Sequence, residues 1–108
     1  MSKSYSFQLS YTINPLTHQD EPHAEKARSH MRNKMGWDTV EHIETTLLGE
    51  VTLAPGDSET KRREARTLVR NGIRKAFKEL AVDKHVAFKS SLLVSGLAPA
   101  MELNILPE

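Results

Sequence analysis

Residues 5–13 read YSFQLSYTI, and their alternation decides the fold. Tyr5, Phe7, Leu9, Tyr11 and Ile13 fall on one side of an extended chain, and Ser6, Gln8, Ser10 and Thr12 on the other. That period specifies a strand with one buried face and one wet face. Such a strand belongs in an antiparallel or mixed sheet covered on one side only. The cover must come from amphipathic helices, and the sequence offers two.

The first helix is expected over residues 21–35, EPHAEKARSHMRNKM, after the turn signal Asn14-Pro15. Asp20 can accept from the free N–H groups of its first turn, and Pro22 costs little there. Ala24, Ala27, Met31 and Met35 make a narrow apolar stripe, Gly36 is placed to end the helix, and Trp37 can fold back on Met31. The second and stronger helix is expected over residues 58–81, capped by Asp57 or Ser58. Its apolar face comprises Ala65, Leu68, Val69, Gly72, Ile73, Ala76, Phe77 and Leu80.

Residues 39–48 read as one strand whose phase needs a bulge near Glu41–His42. A short strand follows at residues 50–53, with Gly49 either a tight connection or a second bulge. Residues 85–94 and 101–106 read as strands joined in a hairpin. The fold class is α+β: a two-layer sandwich with two helices on one face of a four- to five-stranded, mainly antiparallel sheet, ferredoxin-like or related. Residues 1–108 form a single domain, since 108 residues suffice for one core but not two.

No window approaches the roughly 20 apolar residues of a membrane span, and the N-terminus lacks the apolar run of a signal peptide. With no cysteine, disulfides, thiolate catalysis and cysteine-ligated zinc are excluded. A cytoplasmic location is the expectation.

Charge is unevenly spread. Residues 61–80 hold eight Lys/Arg and two Glu, a net +6; the other 88 hold seven basic and twelve acidic residues, a net −5. At about 100° per residue, Arg63, Arg66, Arg70 and Arg74 fall within roughly 80° of one another, and Lys78 extends the row. These five residues are the candidate binding site. Arginine presents a planar fork that matches carboxylate or phosphate, and a face of like charges is a poor choice for solubility alone. The competing reading has the arginines paired within the fold, with Glu41, Glu44, Glu50 and Glu102 available.

No catalytic constellation emerges. His23 and His30 share a helix face, but their separation of about 10 Å is too great for one ion. His42 with Glu44 is the best remaining pair, and two ligands do not make a site, so no metal or cofactor is expected. PGDSETK (residues 55–61) lacks the glycines and the Gly-Lys-Ser/Thr ending of a phosphate loop. The expected function is that of a small non-enzymatic, regulatory binding protein whose basic helix docks an acidic protein or nucleic acid. Two alternatives stand beside it. One is a metal-dependent nuclease using Asp38 and Glu41. The other is a structural homo-oligomer, such as a homodimer, joined through the polar sheet face or an open edge.

Overall fold

The computed structural model describes residues 2–40 and 43–107, Glu44 by its backbone alone. Five strands and two α-helices follow in the order β1 (Lys3–Pro15), α1 (Glu21–Asn33), β2 (Asp38–Val40), β3 (Ile43–Leu53), α2 (Ser58–Glu79), β4 (Val86–Val94) and β5 (Met101–Ile105). A single 3-10 turn, His18–Asp20, leads into α1. The strands form one sheet in the order β2-β3-β1-β4-β5, every neighbouring pair antiparallel. The architecture is an α+β sandwich of two helices on an open antiparallel sheet.

The alternation of β1 is realised as read. Phe7, Leu9, Tyr11 and Ile13 are buried, while Ser6, Gln8 and Thr12 are exposed. The register extends this pattern across the sheet. Leu9 stands opposite Leu47 and Leu92, and Leu92 opposite Met101, making a buried row over four strands. Ala24, Ala27 and Met31 of α1 and Ala65, Val69, Ile73 and Phe77 of α2 close over it in one core. Each large side chain buried there contributes about 1.5–3 kcal/mol. The opposite face carries Ser10 between Thr46 and Ser91, and Gln8 between Leu48 and Leu93.

Residues 39–48 are not one strand. The chain reverses between Val40 and Ile43, so β2 and β3 form a hairpin; the expected bulge at Glu41–His42 lies outside the described residues. Alternation alone could not separate a phase slip from a reversal, because both interrupt the same period. Gly49 is neither a tight connection nor a bulge, since β3 runs through it in unbroken register and pairs it with Phe7. A Cβ at Gly49 would lie 2.6 Å from Phe7 Cζ and 2.7 Å from Trp37 Cδ1. Trp37 does turn back after Gly36, whose φ is +79°, but it stands edge-on to Phe7 with centroids 5.3 Å apart. Gly49 is therefore the floor on which two aromatic rings meet.

The caps differ. Asp57 accepts from the Thr60 N–H at 2.7 Å and starts α2 as expected. Asp20 makes no such bond into α1; its carboxylate turns to Thr17 and His85.

Two glycine substitutions test this packing with opposite signs. Gly49→Ala drives a methyl into the Phe7–Trp37 contact and should destabilise by about 1–3 kcal/mol. Gly72→Ala, on an exposed helix position with nothing within 4 Å of the new Cβ, should stabilise by about 0.5–1 kcal/mol. Denaturant midpoints check both.

Candidate binding surface

Burial fixes how α2 is rotated. Its buried arc is Ala65, Val69, Ile73, Ala76 and Phe77. Leu68, expected on the apolar face, is 46% exposed, and Gly72 is also exposed. The helix is thus turned toward its arginine side. Arg66, Arg70 and Arg74 are half-buried on the shoulder of the packed face, while Arg63 and Lys78 are exposed. The ridge is real, but it is a flank beside the sheet rather than a crest facing away from it. Arg70 and Arg74 line a shallow groove with Asn104, Ile105 and Leu106, and the groove continues past Lys78, Asp83 and Lys84. The seam between α2 and β5 is therefore basic on one wall and apolar on the other.

Three further charges of the segment, Lys61, Arg62 and Glu64, are committed within the fold. Lys61 donates to the Tyr5 hydroxyl at 2.8 Å and lies over its ring. Arg62 bonds Glu59 at 3.2 Å and the Pro99 carbonyl at 3.0 Å, tying α2 to the β4–β5 connection. Glu64 accepts from the Ala54 N–H. On α1, Arg28 is held by Glu21 at 2.9 Å, Glu25 at 3.2 Å and the Ile13 carbonyl at 2.7 Å. The Glu21 hydrogen bond leads in raising its already high pKa. Of the basic residues on α1, Arg28 is thereby neutralised within its own helix.

Two of the four strand acids point away from the flank. Glu50 and Glu102 project from the uncovered sheet face, where they accept from Ser4 and Asn104. Glu41 and the side chain of Glu44 lie outside the described residues. Among the described residues, Arg63, Arg66 and Arg70 form no ion pair, whereas Arg74 has a partner. The Asp57 carboxyl is held below its usual range by the Thr60 N–H and hydroxyl, with a smaller contribution from the charge of Arg63.

The nuclease pair is not assembled in the described residues. Asp38 is exposed on β2, and Glu41 lies outside them. His42 and the Glu44 side chain, the best metal pair by sequence, lie outside them too. The structure instead brings together a pair that sequence reasoning missed. His23 and His85 stack with centroids 4.0 Å apart, and His85 Nδ1 lies 2.9 Å from Asp20 Oδ1. Burial pushes the Asp20 carboxyl up, but hydrogen bonds from His85 and Thr17 and the imidazole's charge outweigh it and hold it low. The only sequence signal for this cluster is the presence of metal-ligand residue types, since His23 and His85 belong to distant segments. Compared with protein-family models, curated proteins and solved structures, the chain matches none. Among the described residues no helix is long and apolar enough to cross a membrane.

Structural and uncommitted arginines should separate in stability measurements. Arg62→Ala removes a clamp on the Pro99 carbonyl and should cost about 1–2 kcal/mol. Arg63→Ala, which removes no hydrogen bond, should stay within about 0.5 kcal/mol of the parent. Thermal and urea melts distinguish the two.

Proposed function

We propose that this is a small non-enzymatic binding protein that captures an acidic, extended protein segment along the seam between α2 and β5. The observation that carries the reading is an arginine flank in which, among the described residues, Arg63, Arg66 and Arg70 form no ion pair, set beside an edge strand. Among the described residues β5 pairs only with β4, so its outer edge is open to an added strand. Ile105 and the 57% exposed Leu106 offer apolar contacts for alternate side chains. The flank supplies forks that match carboxylates, and Arg70, whose Nε is buried without a partner, is partly desolvated beforehand. Captured segments would then be regulated by being masked, which is the role we assign to the protein.

Nucleic acid is the weaker occupant. Four of the six aromatic residues are buried and the other two, Tyr5 and Trp37, are half-buried and lie away from the flank's groove, which gives bases little to stack on there. A net charge of +1 is low for a dedicated nucleic-acid binder. The order β1-α1-β2-β3-α2-β4, with β1 and β3 central, supports a ferredoxin-like reading extended at one edge by β5. That fold hosts many activities, so the functional reading rests on the seam alone.

A second reading, self-association through the uncovered sheet face, is favoured by Leu48 and Leu93. They flank Gln8 in one register row and are 41% and 42% exposed. Sedimentation of the parent and of Leu93→Lys decides it: a dimer that dissociates in the variant supports the reading, and a monomeric parent overturns it.

The seam is tested by fluorescence anisotropy with a labelled peptide that alternates glutamate and valine, and with a single-stranded DNA oligonucleotide as competitor. The peptide should bind, and Arg66→Glu with Arg70→Glu should weaken it at least about tenfold. Arg63→Glu alone should weaken it less. Binding indifferent to the charge reversals overturns the proposal. So does an oligonucleotide that binds more tightly, with a log–log salt slope near about −3.

A further inference from the structure

We propose that Asp20, His23 and His85 form a site for one divalent transition-metal ion of the zinc, cobalt or nickel class. The site is independent of the α2–β5 seam and uses none of its residues. One carboxylate and two imidazoles are the ligand set such ions prefer, and magnesium or calcium would want more oxygen. One ligand atom from each residue lies within 4.8 Å of the others. Ligands that share a tetrahedral ion, each at about 2.0–2.1 Å, stand roughly 3.3 Å apart. The Asp20–His85 pair, at 2.9 Å, is already inside that separation.

The surroundings hold the donors in place. Asp20 Oδ2 accepts from the Thr17 N–H at 3.2 Å and from its hydroxyl at 3.0 Å, which leaves Oδ1 aimed at His85. This is the outer-shell support that metal-binding carboxylates commonly have. The two backbones are tied directly as well. The Leu16 N–H donates to the His85 carbonyl at 3.1 Å, while the His85 N–H donates within its own turn, to the Val82 carbonyl at 2.9 Å. His23 stands in the first turn of α1, a rigid mount one turn from Asp20.

The imidazoles now stack within 10° of parallel. Two rings on one ion must point their lone pairs inward, so the planes have to tilt and the centroids part to about 4.5–5 Å. The His85 side chain is 42% exposed and has room for that rotation. The protein supplies three ligands, so the fourth position belongs to water or to a group from a partner. The rival account is a plain staple, in which the Asp20–His85 bond and the ring stack fasten α1 to the start of β4 and bind nothing.

Calorimetry and Co²⁺ absorption on tag-free protein distinguish the two. The site predicts saturable binding of one equivalent of Co²⁺ or Zn²⁺, visible d–d bands with Co²⁺, and a higher melting temperature with Zn²⁺. His23→Ala should lower the affinity at least about tenfold, and Thr17→Ala should lower it by a similar factor through Asp20. His30→Ala, on the same helix outside the cluster, should leave it unchanged. His23 takes part in no hydrogen bond to a described residue, so its variant tests the site even if His85→Ala fails to fold. A parent that takes up no stoichiometric metal overturns the proposal, as does binding that survives His23→Ala intact.

Discussion

The central strand is the constraint on which the rest depends. β1 is hydrogen-bonded along both edges, to β3 and to β4, so its phase sets theirs. Sliding either neighbour by one residue would turn its buried side chains to water and its polar ones into the core. The alternation of β1 also assigns the two faces of the sheet. One face presents Phe7, Leu9, Tyr11 and Ile13 and needs a cover; the other presents serine, glutamine and threonine and does not. Both helices therefore lie on the same side. The connections from β1 to β2 and from β3 to β4 each step over an intervening strand, which gives each helix the length of a crossover in which to pack.

The position of the arginine flank follows from that cover. The second helix has more apolar residues than one contact stripe can bury, and the sheet selects Val69, Ile73, Ala76 and Phe77 over Leu68. Phe77 meets Phe88 edge-on at 5.8 Å, and Phe88 stacks on Tyr11 at 5.7 Å, so the rotation of α2 is locked to the centre of the sheet. This turn carries Arg66, Arg70 and Arg74 down beside β5. Arginine tolerates such a place because its methylene stem packs while its charged end reaches outward. A surface with both a cationic wall and an apolar wall results, which neither the helix nor the strand has by itself.

Elsewhere the fold uses basic residues as fasteners. Arg28 reaches the carbonyl of Ile13, Arg62 that of Pro99, and Lys26 that of Leu80 at 3.3 Å. Each joins a helix to a neighbouring segment through a backbone oxygen. The Asp20–His85 bond also links the turn before α1 to the segment leading into β4. Charge of one sign therefore has two fates here, and only the neighbourhood of each side chain tells them apart.

The sequence by itself determined the elements: the wet and dry faces of β1, both helices, the Asp57 cap, the β4–β5 hairpin and the clustering of arginines along one side of α2. These are local properties, written in periods of two and 3.6 residues and in the chemistry of caps. Only the tertiary structure decided that residues 38–53 turn back as a hairpin, that Gly49 is the seat of Phe7 and Trp37, and that Asp20 serves His85 rather than the first turn of α1. It also decided that Leu68 faces water while Arg70 is half-buried. Each of these outcomes depends on which distant segment arrives as a neighbour. Periodicity along a chain says which side of an element is apolar, but it cannot say what will be packed against it.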